Sequence, residues 1–508
     1  MEKIKLIGRS SRLSLLQMEK VKRKIETAFP GIAVELVAGS SWGDALQDVP
    51  LQTVEGSDFF TQEIFEKLAT GEADIAVHSL KDMSGEHFFG KNIFAAVERN
   101  DPRDVAIFNR EVVDKLKSGE TVVIGTCSPR REEMATGFLQ KALPQLNNQF
   151  KIKTQSIRGN VDTRLKKLDS GEYDGIILAA AGLNRLLNSE ADMQGIKPLL
   201  KDKLLMILPL IECVPAPCQG TIVAEAHPSN KKAIEILKRI NDTELMNDSI
   251  QEKRIATQYG KGCLQKFGVT TLSYDGKKVL YAAGKDSNEK SFSKWYGLPE
   301  LNTNDKTVFS TTEFMGRFFN YEYFNNDYPI KQPVVYVSNY KAVKQQALIE
   351  QLQKRRVWAA GTKTWFDLSK NGIWVEGCAD ALGLESLRCA FSMPLLNILA
   401  DEVCVITNKQ AAQAWRKKGW YAIATYNLIQ KSVDELKMGI SNADIIFWTS
   451  YRQYEQYKNV LRENTTHTCP AGETAELLRE AGIEPVIFPT IKSFQQWRNS
   501  SIRSHSVA

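Results

Sequence analysis

Short apolar runs that stop abruptly at polar, arginine-bearing turns constrain this chain most. Lys5-Leu6-Ile7-Gly8 runs into Arg9-Ser10-Ser11-Arg12, and the apolar stretch from Ala73 ends in Ser79-Leu80-Lys81-Asp82. Val122-Val123-Ile124 runs into Gly125-Thr126-Cys127-Ser128-Pro129-Arg130-Arg131, and residues 173–181 lead to Gly182 and Arg185. Runs this short and this apolar are strands buried on both faces. Amphipathic helical patterns lie at 14–29 and 61–68, and the next strand is Val34-Glu35-Leu36-Val37. The alternation predicts an α/β fold with largely parallel sheets, which bind ligands at the carboxyl ends of their strands.

The residues at those ends share one chemistry. Arg9, Ser11 and Arg12 follow the first strand and point into such a crevice. Lys81 and Asp82 end an apolar, central strand, where Lys81 pairs with a carboxylate and Asp82 holds a cationic group; a surface salt bridge is the alternative. Gly125 to Ser128 offers backbone N–H groups at a helix start, an anion site that Arg130 and Arg131 extend. Ile157-Arg158-Gly159-Asn160-Val161-Asp162-Thr163-Arg164 repeats the arrangement. Arginine binds carboxylate or phosphate bidentately, which lysine does less well. Any one of these turns reads equally as solvated surface; together they predict a polyanionic ligand.

A helical pattern over 244–259 ends at Gly260-Lys261-Gly262-Cys263-Leu264-Gln265. Lys261 favours the thiolate of Cys263, the nucleophilic form. Alone, such a cysteine is more often a buried structural thiol; opposite so many guanidinium groups it suggests a tethered polyanion. The 508 residues carry 66 Lys+Arg against 60 Asp+Glu, a net charge of +6 too modest to mark a nucleic-acid binder. No apolar run reaches membrane-spanning length, and the N-terminus lacks the apolar core of a signal peptide. Eight cysteines without close pairing fit a reducing cytoplasm, and five histidines without ligand spacing argue against a metal site.

Residues 207–220 read as an extended return segment. A third unit, about 224–302, pairs the Cys263 helix with strands around Val269-Thr270-Thr271-Leu272 and Val279-Leu280-Tyr281-Ala282, joined through Asp275-Gly276. Beyond a polar and aromatic linker, the pattern changes at Pro333. Gly361-Thr362 and Gly472-Glu473-Thr474 each introduce a helix, then a glycine and a strand, a weak internal repeat that suggests two similar α/β lobes. Thr449-Ser450 ends a further strand. Such hydroxyl turns cradle carboxylates or, more commonly, cap helices.

Six motifs carry a resemblance: 74–82, 101–104, 125–131, 158–164, 179–185 and Gly262-Cys263. Over 1–310 the chain resembles porphobilinogen deaminase (hydroxymethylbilane synthase), with the motifs in the same order. Residues 333–508 look like uroporphyrinogen-III synthase, chiefly through Thr449-Ser450 and Gly472-Glu473-Thr474-Ala475. The resemblance implies two periplasmic-binding-protein-like α/β domains, 1–100 (with the return segment, about 204–222) and 101–203. A small α+β cofactor domain, 223–310, a linker, 311–332, and the two-lobed synthase-like region would follow. It implies a dipyrromethane cofactor bonded to Cys263 and Asp82 as the catalytic carboxylate. Lys81, Arg130, Arg131, Arg158, Thr126 and Ser128 would hold the cofactor, and Arg9, Ser11, Arg164 and Arg185 the substrate carboxylates. The implied reaction joins four porphobilinogen molecules into hydroxymethylbilane with loss of ammonia, after which the C-terminal half, through Thr449, Ser450, Gly472 and Thr474, closes it to uroporphyrinogen III. No metal, nucleic acid or membrane partner is implied.

Two departures stand out. Ser57, beside Asp58, replaces a usual loop lysine, which removes a cation from the lid. Pro215-Ala-Pro-Cys-Gln-Gly220 replaces a proline-alanine-valine-glycine-glutamine-glycine return, so Pro217 and Cys218 stiffen the hinge. Two other readings remain: a two-lobe anion-binding protein, which needs neither Cys263 nor a C-terminal region, and a deaminase with a non-catalytic C-terminal half.

Overall fold

The computed structural model describes residues 2–39, 62–147, 149–260, 265–431 and 433–503. Strands β1 (Glu2–Arg9), β2 (Ile32–Gly39), β3 (Ile75–Ser79) and β4 (Ile93–Arg99) begin the first sheet. The helix Arg12–Ala28 makes the crossover from β1 to its parallel neighbour β2 and buries Met18, Val21 and Ile25 on the sheet. The chain then builds a second sheet from β5 (Asp104–Phe108), β6 (Thr121–Gly125), β7 (Lys151–Gln155), β8 (Gly175–Ala179) and β9 (Leu204–Ile207), in the order β7-β6-β8-β5-β9. It returns to the first sheet as β10 (Thr221–Ala226), which lies antiparallel between β3 and β4 to give β2-β1-β3-β10-β4. The return segment therefore serves both sheets: its start is the edge of the second, and its end feeds the centre of the first.

The helix Thr243–Tyr259 leads into a three-stranded antiparallel sheet, β11 (Lys266–Tyr274), β12 (Lys277–Lys285) and β13 (Ser291–Tyr296). The β11–β12 turn has Asp275 at φ 49° and Gly276 at φ 70°, the two left-handed residues a tight hairpin requires.

The C-terminal region begins earlier than its composition suggests. β14 (Val308–Ser310) and β15 (Phe319–Tyr323) fall in stretches assigned to the third domain and to a linker, yet both belong to the C-terminal sheets. β15, β16 (Val334–Val337), β17 (Arg356–Ala359), β18 (Val375–Cys378), β19 (Val403–Asn408) and β20 (Tyr421–Gln430) form a sheet in the order β15-β20-β19-β16-β17-β18. β21 (Ile445–Phe447), β22 (Thr466–Pro470) and β23 (Val486–Phe488) complete the other, β14-β21-β22-β23. The chain thus enters one lobe, builds the other, and comes back.

The halves share a buried seam. Phe138 and Trp365 meet edge to face, 5.1 Å between ring centroids, inside one continuous apolar cluster. Trp365 Nε1 and Ser369 Oγ both donate to the Ala142 carbonyl (3.1 and 2.7 Å), an otherwise open acceptor at the end of the helix Pro129–Ala142. Trp374 Nε1 donates to the Leu205 carbonyl on β9 (2.9 Å). No described helix is long and apolar enough to cross a membrane.

Candidate active site

Between the first and second sheets lies a cavity of about 240 Å3 whose wall includes Arg9, Ser11, Lys81, Arg131, Arg164 and Arg185. Each comes from a strand end or the helix after it. Arg9 is the last residue of β1, and Ser11 caps the following helix, its hydroxyl accepting from the Ser14 N–H (3.4 Å). Lys81 lies in the single 3-10 turn Leu80–Asp82 after β3. Arg131, Arg164 and Arg185 lie on helices Pro129–Ala142, Val161–Asp169 and Ala180–Leu187 of the second domain. Arg164 is oriented by a bond from its Nε to the Gly159 carbonyl (2.8 Å), and Arg185 by one from Nη2 to the Gly220 carbonyl (2.6 Å). Gly220 has φ 88°, and a Cβ there would lie 2.4 Å from the Asn100 carbonyl oxygen, so the backbone contact demands glycine.

Beneath the cavity is a cluster organised by Asp104, the first residue of β5 and 1% exposed. Arg130 Nη2 and Arg131 Nη2 each donate to one of its carboxylate oxygens (2.8 Å both), and Gln219 Nε2 donates at 2.8 Å. Arg130 Nη1 reaches the Val214 carbonyl (2.7 Å), and Arg131 Nη1 the Ile177 carbonyl (3.2 Å). Burial opposes ionisation of Asp104, but the two guanidinium groups overcome it and hold the carboxyl well below the usual range. Two buried cations face one buried anion, which leaves an excess of positive charge at the cavity floor. The Lys81 ammonium is pushed down, chiefly by desolvation and in part by Arg131 and Arg130, against the opposing pull of Asp82. The Nε atoms of Arg131 and Arg185 are buried with no hydrogen-bond partner among the described residues. Such donors are costly unless a ligand accepts from them.

The remaining residues nominated by sequence are distributed around this cavity. Asp82 is exposed beside Lys81, outside the cavity wall. Arg130 lies below the wall, committed to Asp104. Thr126 is buried, its hydroxyl accepting from the Ser128 N–H (3.2 Å), and Ser128 caps the helix that presents Arg131. Arg158 is half-buried between Ile157 and Gly159, off the cavity wall. Cys263 and Ser57 lie outside the described residues, but the elements flanking Cys263 are firmly placed. Glu252, 0% exposed on the helix Thr243–Tyr259, accepts two bonds from Arg99 (2.7 and 3.1 Å), one from the Cys218 N–H (2.6 Å) and one from the Thr271 N–H (2.8 Å). It fastens its helix to β11 within the third domain, and the third domain to β4 and to the return segment. Cys218 is left-handed (φ 62°), and burial pushes its thiol up to about 12, which makes it unreactive.

Sequence reasoning missed the buried acids Glu225 and Glu252, and placed Asp104 in the motif 101–104 without giving it a role. Glu225 on β10 accepts from His78 on β3 (2.9 Å) and from His87 (2.7 Å), so it clamps both sides of the Lys81–Asp82 turn. Burial would raise its carboxyl, yet the two histidines and Asn92 bring it down to about 2. The available signal was an acid inside an apolar run, as in Asp104-Val-Ala-Ile-Phe108 and Ile222-Val-Ala-Glu225-Ala226.

In the C-terminal region, Thr449 and Ser450 follow β21, while Gly472 and Thr474 follow β22, its parallel neighbour. Both turns therefore sit at the same sheet edge. The Thr449 N–H donates to Thr311 Oγ1 (2.9 Å), Ser450 caps the helix Tyr451–Tyr457 in a capping box with Gln453, and Gly472 (φ 100°) opens the helix Glu473–Glu480 that contains Thr474.

Residues 4–235 match the family model described as porphobilinogen deaminase, dipyromethane cofactor binding domain. The chain is 34% identical over 281 residues to the porphobilinogen deaminase of Chromobacterium violaceum, covering 55% of this chain and 83% of that protein. It is 36% identical over 270 residues to that of Lachnospira eligens, covering 53% and 83%. Among solved structures it is similar to a polar amino acid ABC uptake transporter substrate binding protein from Streptococcus thermophilus, with TM-score 0.26 and 15% identity over 52% of this chain and 88% of that one.

Proposed function

The chain belongs to the porphobilinogen deaminase family, and from that premise we propose that it condenses four porphobilinogen molecules into hydroxymethylbilane, releasing ammonia, in tetrapyrrole biosynthesis. The observation that carries the reading is that the buried Nε donors of Arg131 and Arg185, which have no partner among the described residues, sit beside one cavity that Arg9, Arg164 and Lys81 also line. These donors suit a ligand rich in carboxylates, as the dipyrromethane cofactor of the family and its substrate are. When bound, that group supplies the pyrrole carbon to which new units are joined.

In this reading Cys263 provides the thioether attachment, and Arg131, Lys81 and Arg158 hold cofactor carboxylates. Arg130, Thr126 and Ser128 act from behind: Arg130 shares Asp104 with Arg131, and Thr126 and Ser128 shape the turn that starts the Arg131 helix. Arg9, Ser11, Arg164 and Arg185 bind the acid side chains of the incoming porphobilinogen. Asp82, exposed beside Lys81, stabilises positive charge on the pyrrole as ammonia leaves and steers the proton. The partial desolvation that lowers Lys81 strengthens its pairing with a carboxylate. Intact mass measurement with a porphobilinogen consumption assay tests the reading: full turnover by protein with unmodified Cys263 would exclude it.

A second activity is favoured by the paired turns at the edge of β21 and β22. We infer that Thr449, Ser450, Gly472 and Thr474 face hydroxymethylbilane and that the C-terminal half inverts its last ring and closes it to uroporphyrinogen III with loss of water. The proposed setting is the cytoplasm. Supplying hydroxymethylbilane and separating the product isomers decides between this and a non-catalytic half: the type I isomer alone, from spontaneous closure, would remove the cyclase assignment.

A further inference from the structure

The loop after β18 is strained for a purpose. Asp380 and Ala381 are consecutive left-handed residues, at φ 51° and 62°, and neither is glycine. Each such residue costs roughly 1–2 kcal/mol and persists only where its surroundings hold it. The Ala379 and Ala381 N–H groups pin the loop to the carbonyls of Ala359 (3.0 Å) and Ala360 (2.9 Å). The outcome is that Asp380, 3% exposed, projects its carboxylate into the N-terminal half.

There it meets both supports of the Asp104 cluster. Asp380 Oδ1 accepts from the Ile211 N–H (3.3 Å), in the return segment that supplies Val214 and Gln219 to the cluster. Asp380 Oδ2 lies 3.5 Å from Arg103 Nη2, the residue before Asp104 in sequence. Arg103 is 6% exposed, and its only other carboxylate contact among the described residues is Asp101 (2.6 Å). The Arg103 carbonyl accepts from the Ala180 N–H (3.0 Å), at the start of the helix that carries Arg185.

We propose that Asp380 is a positioning residue for porphobilinogen condensation, through which the C-terminal half holds the Asp104–Arg130–Arg131 cluster in register by way of Arg103 and Ile211. This rests on the carboxylate-binding reading of that cluster. A carboxylate in a desolvated site acts strongly on a guanidinium a few ångströms away, and a small displacement of a binding fork is enough to cost affinity. The deaminase site therefore depends on a residue outside the deaminase half, whatever chemistry the C-terminal half performs.

The test uses the full-length chain. Asp380→Asn keeps an acceptor for Ile211 and tolerates the left-handed backbone, while it removes the charge and turns an NH2 group towards Arg103 in place of the carboxylate oxygen. Ser369→Ala is the control, since it cuts a seam hydrogen bond at the opposite end of the helix from Arg130 and Arg131. Asp380→Asn is expected to raise KM for porphobilinogen about tenfold, with kcat within about threefold and the cofactor mass still present, as for the loss of one charge-assisted contact. Ser369→Ala is expected to leave both constants unchanged. A KM in Asp380→Asn within twofold of the unaltered chain, or an equal rise in Ser369→Ala, would overturn the proposal. Should Asp380→Asn fail to fold, Arg103→Lys replaces it, with the same KM rise expected and an unchanged KM refuting. An unaltered chain that consumes no porphobilinogen defeats the functional reading itself, a result distinct from either outcome above.

Discussion

Replacing Asp104 by asparagine removes one negative charge and little volume from beneath the cavity. Three donors converge on that carboxylate at 2.8 Å, two of them from buried guanidinium groups. In the variant Arg130 and Arg131 keep their carbonyl acceptors on Val214 and Ile177 but lose the anion between them. Breaking a buried ion pair from one side costs about 3–5 kcal/mol, because the remaining charge stays desolvated. For a domain of this size each kcal/mol lowers the unfolding midpoint by about 2–4 °C, so a fall of about 6–20 °C is expected at neutral pH in scanning calorimetry. The pH dependence has a definite sign. The folded carboxyl lies below its ordinary value of 3.8, so its contribution is complete above that pH and fades as the medium becomes more acid. The gap between the two proteins should therefore be constant down to about pH 4 and narrow below it. Adding Arg131→Met closes a double-mutant cycle whose coupling should exceed about 1 kcal/mol. A midpoint lowered by less than about 2 °C, or additive single effects, would refute the account of Asp104 as the anion that holds two cations in place.

Asp82→Ala should leave stability within about 0.5 kcal/mol, since the side chain is exposed, and should retain the cofactor mass while turnover falls by at least about a hundredfold; near-normal turnover would dismiss the assigned role. Glu225→Gln should destabilise the first domain by about 3 kcal/mol above pH 4.5, the amount implied by a carboxyl held down to about 2. That difference should vanish as the pH falls from 4.5 towards 2, and a difference independent of pH would show that the carboxylate charge is not what binds His78 and His87.

The cations were legible in the sequence because each follows an apolar run, and topology brings strand ends together. That is why Arg9, Lys81, Arg131, Arg164 and Arg185, spread over more than 170 residues, reach one cavity. The anions that organise them were less legible: Asp104 and Glu225 show only as acids within or at the head of an apolar run, and Glu252 not even as that. Glu252 sits in a helix among Gln251 and Lys253 and looks solvent-facing; only the fold places Arg99 and Thr271 around it. β15 was hidden for a related reason. Phe319-Asn-Tyr-Glu-Tyr323 does alternate aromatic with polar residues, but it is short and lies in a polar, aromatic stretch that reads as a linker, and its pairing with β20 comes from tertiary context. The Ser450 turn carries a cap signature, and a cap is what it forms. The seam was invisible because Trp365 and Trp374 look like the core of their own lobe, and Trp365 is indeed fully buried.

That seam has an evolutionary corollary. Trp365, Ser369 and Trp374 grip main-chain carbonyls of Ala142 and Leu205, and the Gln145 N–H answers the Ser369 carbonyl (2.9 Å). Every residue but proline displays the same pair of backbone groups, so these contacts are blind to side-chain identity on the opposing face. Where the seam is made this way, the residues that offer the carbonyls are free to change type so long as their backbone stays put, whereas at Phe138–Trp365 and Arg103–Asp380 both side chains have to be kept.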